Sequence, residues 1–254
     1  MILKNANKEF SMDNGDNVNY VLPCRKFRSS NILRILKSLC SGPKRFSQLK
    51  RETQLNDALL LHYLRKLLRY GIITREAEKT YKLRFKVPIC YLFLNFHPCT
   101  YLGFLGLRQE REIPEPIIAL NLLRRLRIIP TKNYIFTTSD ALASWKGYEL
   151  SDFSIKLLSK DDLLDIDAIE ERVERVVIEE AKTNLLIMDC TSLTKTATIA
   201  MYNLARRYYI PLIYVYEETK ELVWLIDIET VKREVISKIV DTRKERDNRE
   251  VDMV

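Results

Sequence analysis

From Tyr101 onwards, short apolar runs alternate with longer amphipathic segments, and this alternation limits the possible folds more than any other feature of the sequence. Continuous short apolar runs predict strands that are buried on both faces, and apolar residues three or four positions apart predict helices. Strands that alternate with helices form a mostly parallel sheet covered on both sides. The sequence therefore predicts a Rossmann-like α/β domain in this part of the chain.

The apolar spacing and the flanking polar residues set the expected boundaries of these elements. The predicted strands are 101–107, 133–137, 154–158, 184–188, 212–216 and 222–226. The predicted helices are 115–126, 169–181, 195–208 and 231 to about 246. The last helix is expected to pack on the sheet or on a partner subunit, because its apolar residues lie amid charges.

The N-terminal third is organised differently, as three short helices and a hairpin. The first helix is expected after the cap residues Ser29 and Ser30 and before Gly42. The others are expected over 48–53, after Ser47, and from Asn56 or Asp57 to Tyr70, before Gly71; alternating residues at 72–75 and 80–83 predict two strands. This order is the winged helix-turn-helix pattern.

At 254 residues the chain exceeds the common domain size of about 100–150 residues, so two domains are expected. The expected organisation is a loose arm (1–20), a winged-helix domain (21–86), a linker (87–100) and the α/β domain with its C-terminal helix (101–254).

Positive charge is concentrated in the N-terminal third. Residues 1–86 contain 19 Lys and Arg against 7 Asp and Glu, a net charge of +12. Residues 87–254 contain 23 against 27, a net charge of −4. A surface rich in residues of both charges, as in thermophilic proteins, would give each part of the chain a net charge near zero. A basic domain instead indicates binding to a nucleic-acid backbone.

The stretch from Phe46 to Leu83, FSQLKRETQLNDALLLHYLRKLLRYGIITREAEKTYKL, resembles the ArsR-like winged-helix regulators. The resemblance implies that the third helix enters the major groove of double-stranded DNA and that the hairpin 75–82 contacts the flanking backbone. The residues expected on the DNA side are Ala58, Leu59, His62, Tyr63, Lys66, Arg69, Arg75, Lys79 and Lys82. Few of them can read base edges, which predicts weak sequence discrimination. The alternative is a winged helix that mediates protein interaction or dimerisation.

Several classes of site and location are not indicated. The five cysteines are scattered without CxxC spacing, which predicts buried thiols rather than a disulfide framework or a zinc site. The N-terminus lacks a secretion signal, and prolines and polar residues interrupt the apolar segment 87–107, so a cytoplasmic protein without a membrane span is expected. The chain has no GxGxxG, GxxxxGK[ST], GxSxG or HExxH motif and only two histidines, His62 and His97. No cofactor and no metal are therefore expected.

Polar loops follow three predicted strands, at the edge where parallel sheets bind ligands. The loop 189–195 holds hydroxyl groups, a lysine and the start of a helix, a combination suited to phosphate. The candidate ligand residues in the three loops are Gly106, Leu107, Arg108, Thr137, Thr138, Ser139, Asp189, Thr191, Ser192, Leu193, Thr194 and Lys195. In the alternative interpretation, Thr191, Ser192 and Thr194 only cap the helix, and Lys195 is solvated.

The segment Met188 to Tyr216, MDCTSLTKTATIAMYNLARRYYIPLIYVY, resembles the signature of the CARF domain, the CRISPR-associated Rossmann fold. In that signature a strand is followed by Asp-x-Thr-Gly-Gly-Thr-Lys, a helix and an apolar strand. Asp189, Thr191, Thr194 and Lys195 match it, while Ser192 and Leu193 replace the glycines. The runs YLGFLGL and IFTTSD resemble the family's first two ligand loops. The resemblance implies a homodimer that binds cyclic tetra-adenylate or a related cyclic oligoadenylate across its two-fold axis.

The leading functional hypothesis is a cyclic oligoadenylate-responsive transcriptional regulator of CRISPR type. The alternative is a metal-independent ring nuclease, in which a 2′-hydroxyl of the ligand attacks its own phosphate. In that reaction Lys195 would stabilise negative charge, and Ser139 or Thr138 would position the phosphate. A nucleotide-gated interaction module or a virus-encoded antagonist with the same fold is a third hypothesis.

Overall fold

The computed structural model describes residues 30–95, 98–216 and 218–239. The predicted arm (1–20), Cys24, His97 and the predicted helix beyond Ile239 lie outside these residues. The helices are α1 (Asn31–Cys40), α2 (Phe46–Thr53), α3 (Asp57–Arg69), α4 (Glu115–Arg125), α5 (Ser139–Ser144), α6 (Ile166–Glu180), α7 (Lys195–Tyr208) and α8 (Ile228–Ile239). The strands are β1 (Lys44–Arg45), β2 (Ile73–Arg75), β3 (Thr80–Leu83), β4 (Cys99–Phe104), β5 (Lys132–Thr137), β6 (Ser154–Leu157), β7 (Leu185–Asp189), β8 (Leu212–Tyr216) and β9 (Glu221–Ile226).

The N-terminal elements confirm the predicted winged helix-turn-helix. The side chain of Asn56 caps α3 by accepting a hydrogen bond of 2.9 Å from the backbone N–H of Leu59. Gly71 follows α3 with φ +65°, a left-handed conformation that glycine adopts without strain. The strand β1 was not predicted, and it pairs antiparallel with β3 to complete a sheet of order β1-β3-β2. The helix α2 begins two residues before the predicted start, because the side chain of Gln48 accepts a hydrogen bond from the backbone N–H of Arg45.

The second sheet has the order β6-β5-β4-β7-β8-β9. Its first five strands in this order are parallel, and β9 pairs antiparallel with β8. With β4 as its first strand along the chain, the domain has the 3-2-1-4-5-6 order of doubly wound nucleotide-binding folds. The Rossmann-like prediction is therefore confirmed, and the strand order reverses between β4 and β7.

Two features of this domain were not predicted. The antiparallel direction of β9 follows from the short connection after Tyr216, since a parallel return needs a crossover of a dozen or more residues. The helix α5 has six residues, and it is too short for a periodic apolar pattern. The strand β4 also begins at Cys99, two residues before the predicted start.

The segment expected to link the domains is packed against both of them. Residues Ile89–Leu92 form a turn of 3-10 helix that contacts α1 and α8. Within this turn Ile89, Cys90 and Tyr91 are buried. The backbone N–H groups of Lys86 and Val87 both donate to the carbonyl of Ala181, at the end of α6. The hydrophobic core is consequently continuous from the winged helix into the large sheet.

The buried carboxylate of Glu180 connects the C-terminal end of α6 to the sheet. One carboxylate oxygen of Glu180 accepts hydrogen bonds from Lys132 and Tyr134 of β5, and the other accepts from Thr100 and Asn184. Burial alone would raise the pKa of Glu180, but the hydrogen bonds from Lys132, Asn184, Thr100 and Tyr134 outweigh it and lower the pKa below its ordinary value. The cluster joins α6, β4 and β5 at the edge of the sheet opposite the candidate ligand loops.

Four cysteines, Cys40, Cys90, Cys99 and Cys190, are buried free thiols, as predicted. Within residues 30–95, 98–216 and 218–239, no helix is both long and apolar enough to span a membrane. The same ranges hold no group of three or more side chains suited to binding a metal ion.

Candidate functional site

The carboxyl ends of β4 and β7 lie side by side where the strand order reverses. The two strands pair in parallel, and Leu102 of β4 is the partner of Met188 of β7. The loop after β4 leads into α4, and the loop after β7 leads into α7. Doubly wound sheets bind their ligands in the crevice at this position. The fold therefore brings together the candidate loops that follow β4 and β7.

Asp189, the last residue of β7, supports the loop that follows this strand. Its carboxylate accepts a hydrogen bond of 2.5 Å from the Tyr101 hydroxyl and one of 2.9 Å from the backbone N–H of Thr191. Burial raises the pKa of Asp189, although the hydrogen bonds from Thr191 and Tyr101 act in the opposite direction. Burial also raises the pKa of Tyr101 well above its ordinary value. The contacts of Asp189 are thus with the protein, and it supports the loop.

The Thr191 hydroxyl also forms hydrogen bonds within the fold. It donates to the carboxylate of Asp189 and accepts a hydrogen bond of 2.9 Å from the backbone N–H of Val215 in β8. The hydroxyl therefore connects the ends of β7 and β8. Asp189 and Thr191, which match the CARF signature, therefore hold the loop in shape through hydrogen bonds within the protein.

Gly106 and Ser192 are where the two loops meet. A Cβ atom on Gly106 would lie 3.8 Å from the Cβ of Ser192 and 3.6 Å from the Glu115 Oε1 atom. The Ser192 hydroxyl oxygen is buried and has no hydrogen-bond partner within the described ranges. Buried hydroxyls are normally hydrogen-bonded, so an oxygen without a partner marks a position where a ligand atom or water can bind. Leu193 beside it is half-buried and packs against the hydrophobic core.

Arg111 holds the loop after β4 in shape, and the sequence analysis missed it. Its Nε atom lies 3.1 Å from a carboxylate oxygen of the buried Glu115, at the start of α4. Its Nη1 atom donates to the carbonyl of Leu107 at 3.0 Å. An Arg and a Glu four residues apart, just before a helix, were the available sequence signal. The pair leaves Leu107 itself exposed.

Trp145 anchors the other side of the same loop and was also missed. The indole N–H donates to the carbonyl of Gly106 at 2.8 Å. The exposed guanidinium of Arg108 lies 5.5 Å from the centre of the Trp145 ring, within the range of a cation–π contact. The backbone N–H of Arg108 donates to the Ser144 hydroxyl in α5 at 2.9 Å. Arg108 is thus exposed while its backbone is fixed.

The loop after β5 lies next to the loop after β4. Thr137 is buried, and its hydroxyl donates to the carbonyl of Leu105 at 2.8 Å. The side chain of Thr138 caps α5 by accepting a hydrogen bond from the backbone N–H of Ala141. Ser139 is exposed at the first position of α5. Among these three predicted ligand residues, Ser139 is therefore the one with an exposed side chain.

Thr194 and Lys195 begin α7. The Thr194 side chain caps the helix by accepting a hydrogen bond of 3.2 Å from the backbone N–H of Ala197, so the capping interpretation holds for this residue. Lys195 is exposed at the first helical position, and within the described ranges no carboxylate pairs with it. The first residues of a helix attract anions through their free N–H groups and the helix dipole. Lys195 adds a full positive charge at this end.

A cavity of about 200 Å³ opens beside these loops. It is lined by Arg111, Glu112, Ile113, Glu115, Ile118 and Lys220. Lys220 belongs to the turn between β8 and β9, which is on the same edge of the sheet as the two ligand loops. Two basic side chains therefore face this cavity.

The exposed face of α3 differs from the predicted one. Ala58, His62 and Arg69 are exposed and Lys66 is half-buried, as expected for a free face. Tyr63 is buried instead, and the prediction that it faces DNA is wrong. Leu59 is half-buried against the core, and Leu61 is exposed. The buried stripe is rotated relative to the prediction and runs through Leu60, Tyr63, Leu64 and Leu67, because α3 packs against β2 of the hairpin and into the surrounding core.

This rotation brings one further cation to the surface. Arg65 is exposed on α3 between His62 and Arg69, and the sequence analysis did not include it. On the hairpin, Arg75 and Lys79 are exposed, and Lys82 forms an ion pair with Glu76. A shallow groove of about 540 Å³ lies along α2 and the turn before α3 and is lined by Ser47, Lys50, Arg51, Gln54, Leu55 and Asn56. Basic and polar side chains thus continue from α2 across α3 to the hairpin.

A comparison with protein families identifies this part of the chain. Residues 29–75 match the model of the bacterial regulatory protein, arsR family. This segment is an arsR-type helix-turn-helix. A search of curated protein sequences found no significant match to the chain.

Solved structures resemble the chain over about half of its length. Can2 from Sulfobacillus thermosulfidooxidans, in complex with cyclic tetra-adenylate, has 13% identity and a TM-score of 0.37 and covers 51% of this chain. Protein VC1899 from Vibrio cholerae has 14% identity, a TM-score of 0.37 and 50% coverage. Enterococcus italicus Csm6, bound to cyclic hexa-2′-fluoro-hexa-dAMP, has 16% identity, a TM-score of 0.37 and 54% coverage. The matches cover 35%, 33% and 39% of those proteins, so this chain spans little more than a third of their length.

Proposed function

We propose that this protein is a DNA-binding transcriptional regulator whose CARF-like C-terminal domain binds a cyclic oligoadenylate across a homodimer. The observation that carries the proposal is the meeting of the β4 and β7 loops at the point where the strand order reverses. There, the buried Ser192 hydroxyl has no partner within the described ranges, and Lys195 is exposed beside it. The chain that holds this site also carries an arsR-type helix-turn-helix.

The chemistry of the two loops suits a phosphodiester. Lys195 sits at the first position of a helix of 14 residues, where the helix dipole and free N–H groups favour an anion. The Ser192 hydroxyl can donate to a phosphate oxygen, and Arg108 offers a second exposed cation on the facing loop. The sequence match of Asp189, Thr191, Thr194 and Lys195 to the CARF signature supports an oligoadenylate as the source of these phosphates.

The symmetry of the proposed ligand supports a dimer. A closed two-fold dimer presents the same loops twice across its axis. A cyclic tetra-adenylate with two-fold symmetry would therefore be shared, with each subunit supplying the same loops to half of the ring.

The surface of the winged helix supports DNA as the other ligand. Arg65 and Arg69 are exposed on α3, and Arg75 and Lys79 are exposed on the hairpin. Side chains of this kind contact phosphates, while His62 is one of few exposed groups on α3 able to read a base edge. We therefore infer that affinity comes mainly from the DNA backbone and that sequence discrimination is weak.

Titration calorimetry of the purified protein with cyclic tetra-adenylate tests the ligand, with linear tetra-adenylate as the control. The proposal predicts saturable binding of one ring per two chains and a dimeric mass by light scattering. A monomer at micromolar concentration, or equal affinity for the ring and the linear control, would contradict it.

A ring nuclease is the second candidate, and the exposure of Lys195 and Ser139 favours it. Both side chains lie at helix N-termini on the ligand edge of the sheet, where they could hold a phosphate in line with a 2′-hydroxyl. Chromatography of the calorimetry sample after several hours separates the two functions. Linear products indicate a nuclease, and intact ring indicates a sensor.

A further inference from the structure

The hydroxyl group of Tyr91 is inserted into the backbone of β7. It donates a hydrogen bond of 2.6 Å to the carbonyl of Leu186 and accepts one of 3.1 Å from the N–H of the same residue. Tyr91 is fully buried, and it lies in the 3-10 turn that follows the winged helix. A side chain from the connecting segment thus holds the central strand that ends in the ligand loop.

The Tyr91 hydroxyl lies beside the part of β7 that does not pair with β8. The backbone N–H groups of Met188 and Cys190 donate to carbonyls of Pro211 and Ile213, on or just before β8. Leu186 precedes Met188 on the same edge of β7. In the sheet it pairs with Thr100 of β4 and has no partner on β8. Tyr91 therefore takes the place of a strand partner for Leu186. The rigid ring of Tyr91 links Leu186 to the connecting segment. A movement of one without the other would break both hydrogen bonds.

The same turn is bound to the first helix of the arsR-type unit. Cys40, the last residue of α1, and Cys90 of the turn are both buried in the same hydrophobic core. The turn also packs against α1, which in turn contacts α2 and β3. Continuous packing therefore runs from β7 through Tyr91 and Cys90 to α1.

We propose that Tyr91 is the positioning residue that couples the β7 ligand loop to the DNA-binding unit, an inference about regulation that rests on the proposed function. Leu186 lies three residues before Asp189 on a fully buried strand, so a shift of the β7 end on nucleotide binding displaces Leu186 as well. The Tyr91 hydroxyl carries this displacement to the connecting turn, and the turn carries it to α1. Tyr91 touches neither ligand, and its contribution is to the free energy that links the two sites.

The substitution Tyr91→Phe tests this role, with Tyr208→Phe as the matched control. The Tyr208 hydroxyl is bonded to Glu174 between α7 and α6, so the control also loses a buried tyrosine hydroxyl but leaves the connecting turn intact. The DNA dissociation constant is measured with and without saturating cyclic tetra-adenylate. Wild type and Tyr208→Phe should change their DNA affinity by a factor of about 5–100. Tyr91→Phe should bind the nucleotide within about 3-fold of wild type, while its DNA affinity changes less than about 2-fold. A full response in Tyr91→Phe would overturn the inference and leave the proposed function intact.

Hydrogen exchange without nucleotide gives a second test that does not depend on the proposed function. Loss of the Tyr91 hydroxyl should speed amide exchange in β7 and also in α1, compared with Tyr208→Phe. Faster exchange confined to β7 would overturn the coupling role, even if wild type failed to respond to cyclic tetra-adenylate.

If Tyr91→Phe does not fold, hydrogen exchange of wild type is compared with and without cyclic tetra-adenylate. Slower exchange in residues 86–94 and α1 supports the coupling, and a change confined to the ligand loops refutes it.

Discussion

The Tyr101 hydroxyl donates a hydrogen bond of 2.5 Å to the buried carboxylate of Asp189, which joins β4 to β7 where the order of the sheet reverses. Both residues are inaccessible to water, so the Tyr101 hydroxyl and the Oδ2 atom of Asp189 depend on each other, while Thr191 donates to the other carboxylate oxygen. The bond fixes the end of β7 immediately before the loop that carries Ser192 and Lys195. It therefore positions the candidate ligand site without contacting a ligand.

Removal of this hydroxyl should disturb both stability and binding. Tyr101→Phe removes the hydroxyl that donates to one oxygen of the buried Asp189 carboxylate, and it should lower the free energy of unfolding by about 1–3 kcal/mol. Nucleotide affinity should also fall, because the β7 end is less fixed. Denaturant unfolding and calorimetry measure the two effects. Tyr134→Phe, which loses a bond to Glu180 at the opposite edge, should lose stability but keep its affinity. Equal affinities of Tyr101→Phe and wild type would contradict the positioning role.

Glu180 gives the fold a defined dependence on pH. Its pKa is lowered in the folded state, so the stability that it contributes is present above the ordinary value of 4.5 and is lost as the pH falls through the folded value. Glu180→Gln should cost about 1–3 kcal/mol at pH 7, since the amide cannot accept from all four donors. The variant should also lose less stability than wild type as the pH falls from neutral through the ordinary pKa of 4.5 and below the lowered pKa of the folded state. Parallel pH profiles would contradict this account.

Lys195 should contribute directly to nucleotide binding. Lys195→Ala removes a point charge beside phosphate and should weaken cyclic tetra-adenylate binding by about 1–3 kcal/mol, the scale of a charge-assisted hydrogen bond. Lys182→Ala, which removes an exposed lysine after α6 at the opposite edge, is the control and should bind normally. If the protein cleaves the ring, Lys195→Ala should also lose about two orders of magnitude in turnover at verified saturation. Wild-type affinity in Lys195→Ala would favour the helix-capping interpretation of this loop.

The exposed arginines of α3 should set the salt dependence of DNA binding. Arg65→Ala combined with Arg69→Ala should weaken binding at every DNA sequence tested and reduce the slope of log affinity against log salt by about 2. Arg175→Ala, on α6, removes an exposed arginine from the other domain and should leave the slope unchanged. Electrophoretic shifts at several salt concentrations measure the slope. A slope unaffected by the double substitution would place the DNA on another surface.

The sequence was sufficient for the order of the longer elements because they have strong apolar patterns, whereas β1 and α5 are too short to show one. It predicted β8 at its observed boundaries and gave Asn56 or Asp57 as the cap of α3, of which Asn56 is the observed one. It could not set the rotation of α3, because a leucine-rich helix with Tyr63 has apolar residues on more than one side. That choice depends on which face of α3 the hairpin and the rest of the core cover.

The candidate site was predicted as loops but not as contacts. The hydroxyls of Thr137 and Thr191 lie in the same polar loops as Ser192, yet their partners, Leu105 and Val215, come from neighbouring strands. Pattern alone does not reveal such partners. Tyr91 illustrates the same limit, since its partner Leu186 lies 95 residues further along the chain. These roles depend on tertiary packing.

DNA affinity measured on one preparation, with and without cyclic tetra-adenylate, tests the central claim most directly. A fluorescently labelled duplex is titrated with the protein at fixed salt, first alone and then with saturating nucleotide, and the product of each sample is checked for ring cleavage. The account predicts that the nucleotide changes the DNA dissociation constant by a factor of about 5–100 while the protein remains a dimer. An identical dissociation constant in both titrations, with nucleotide binding verified, would contradict it.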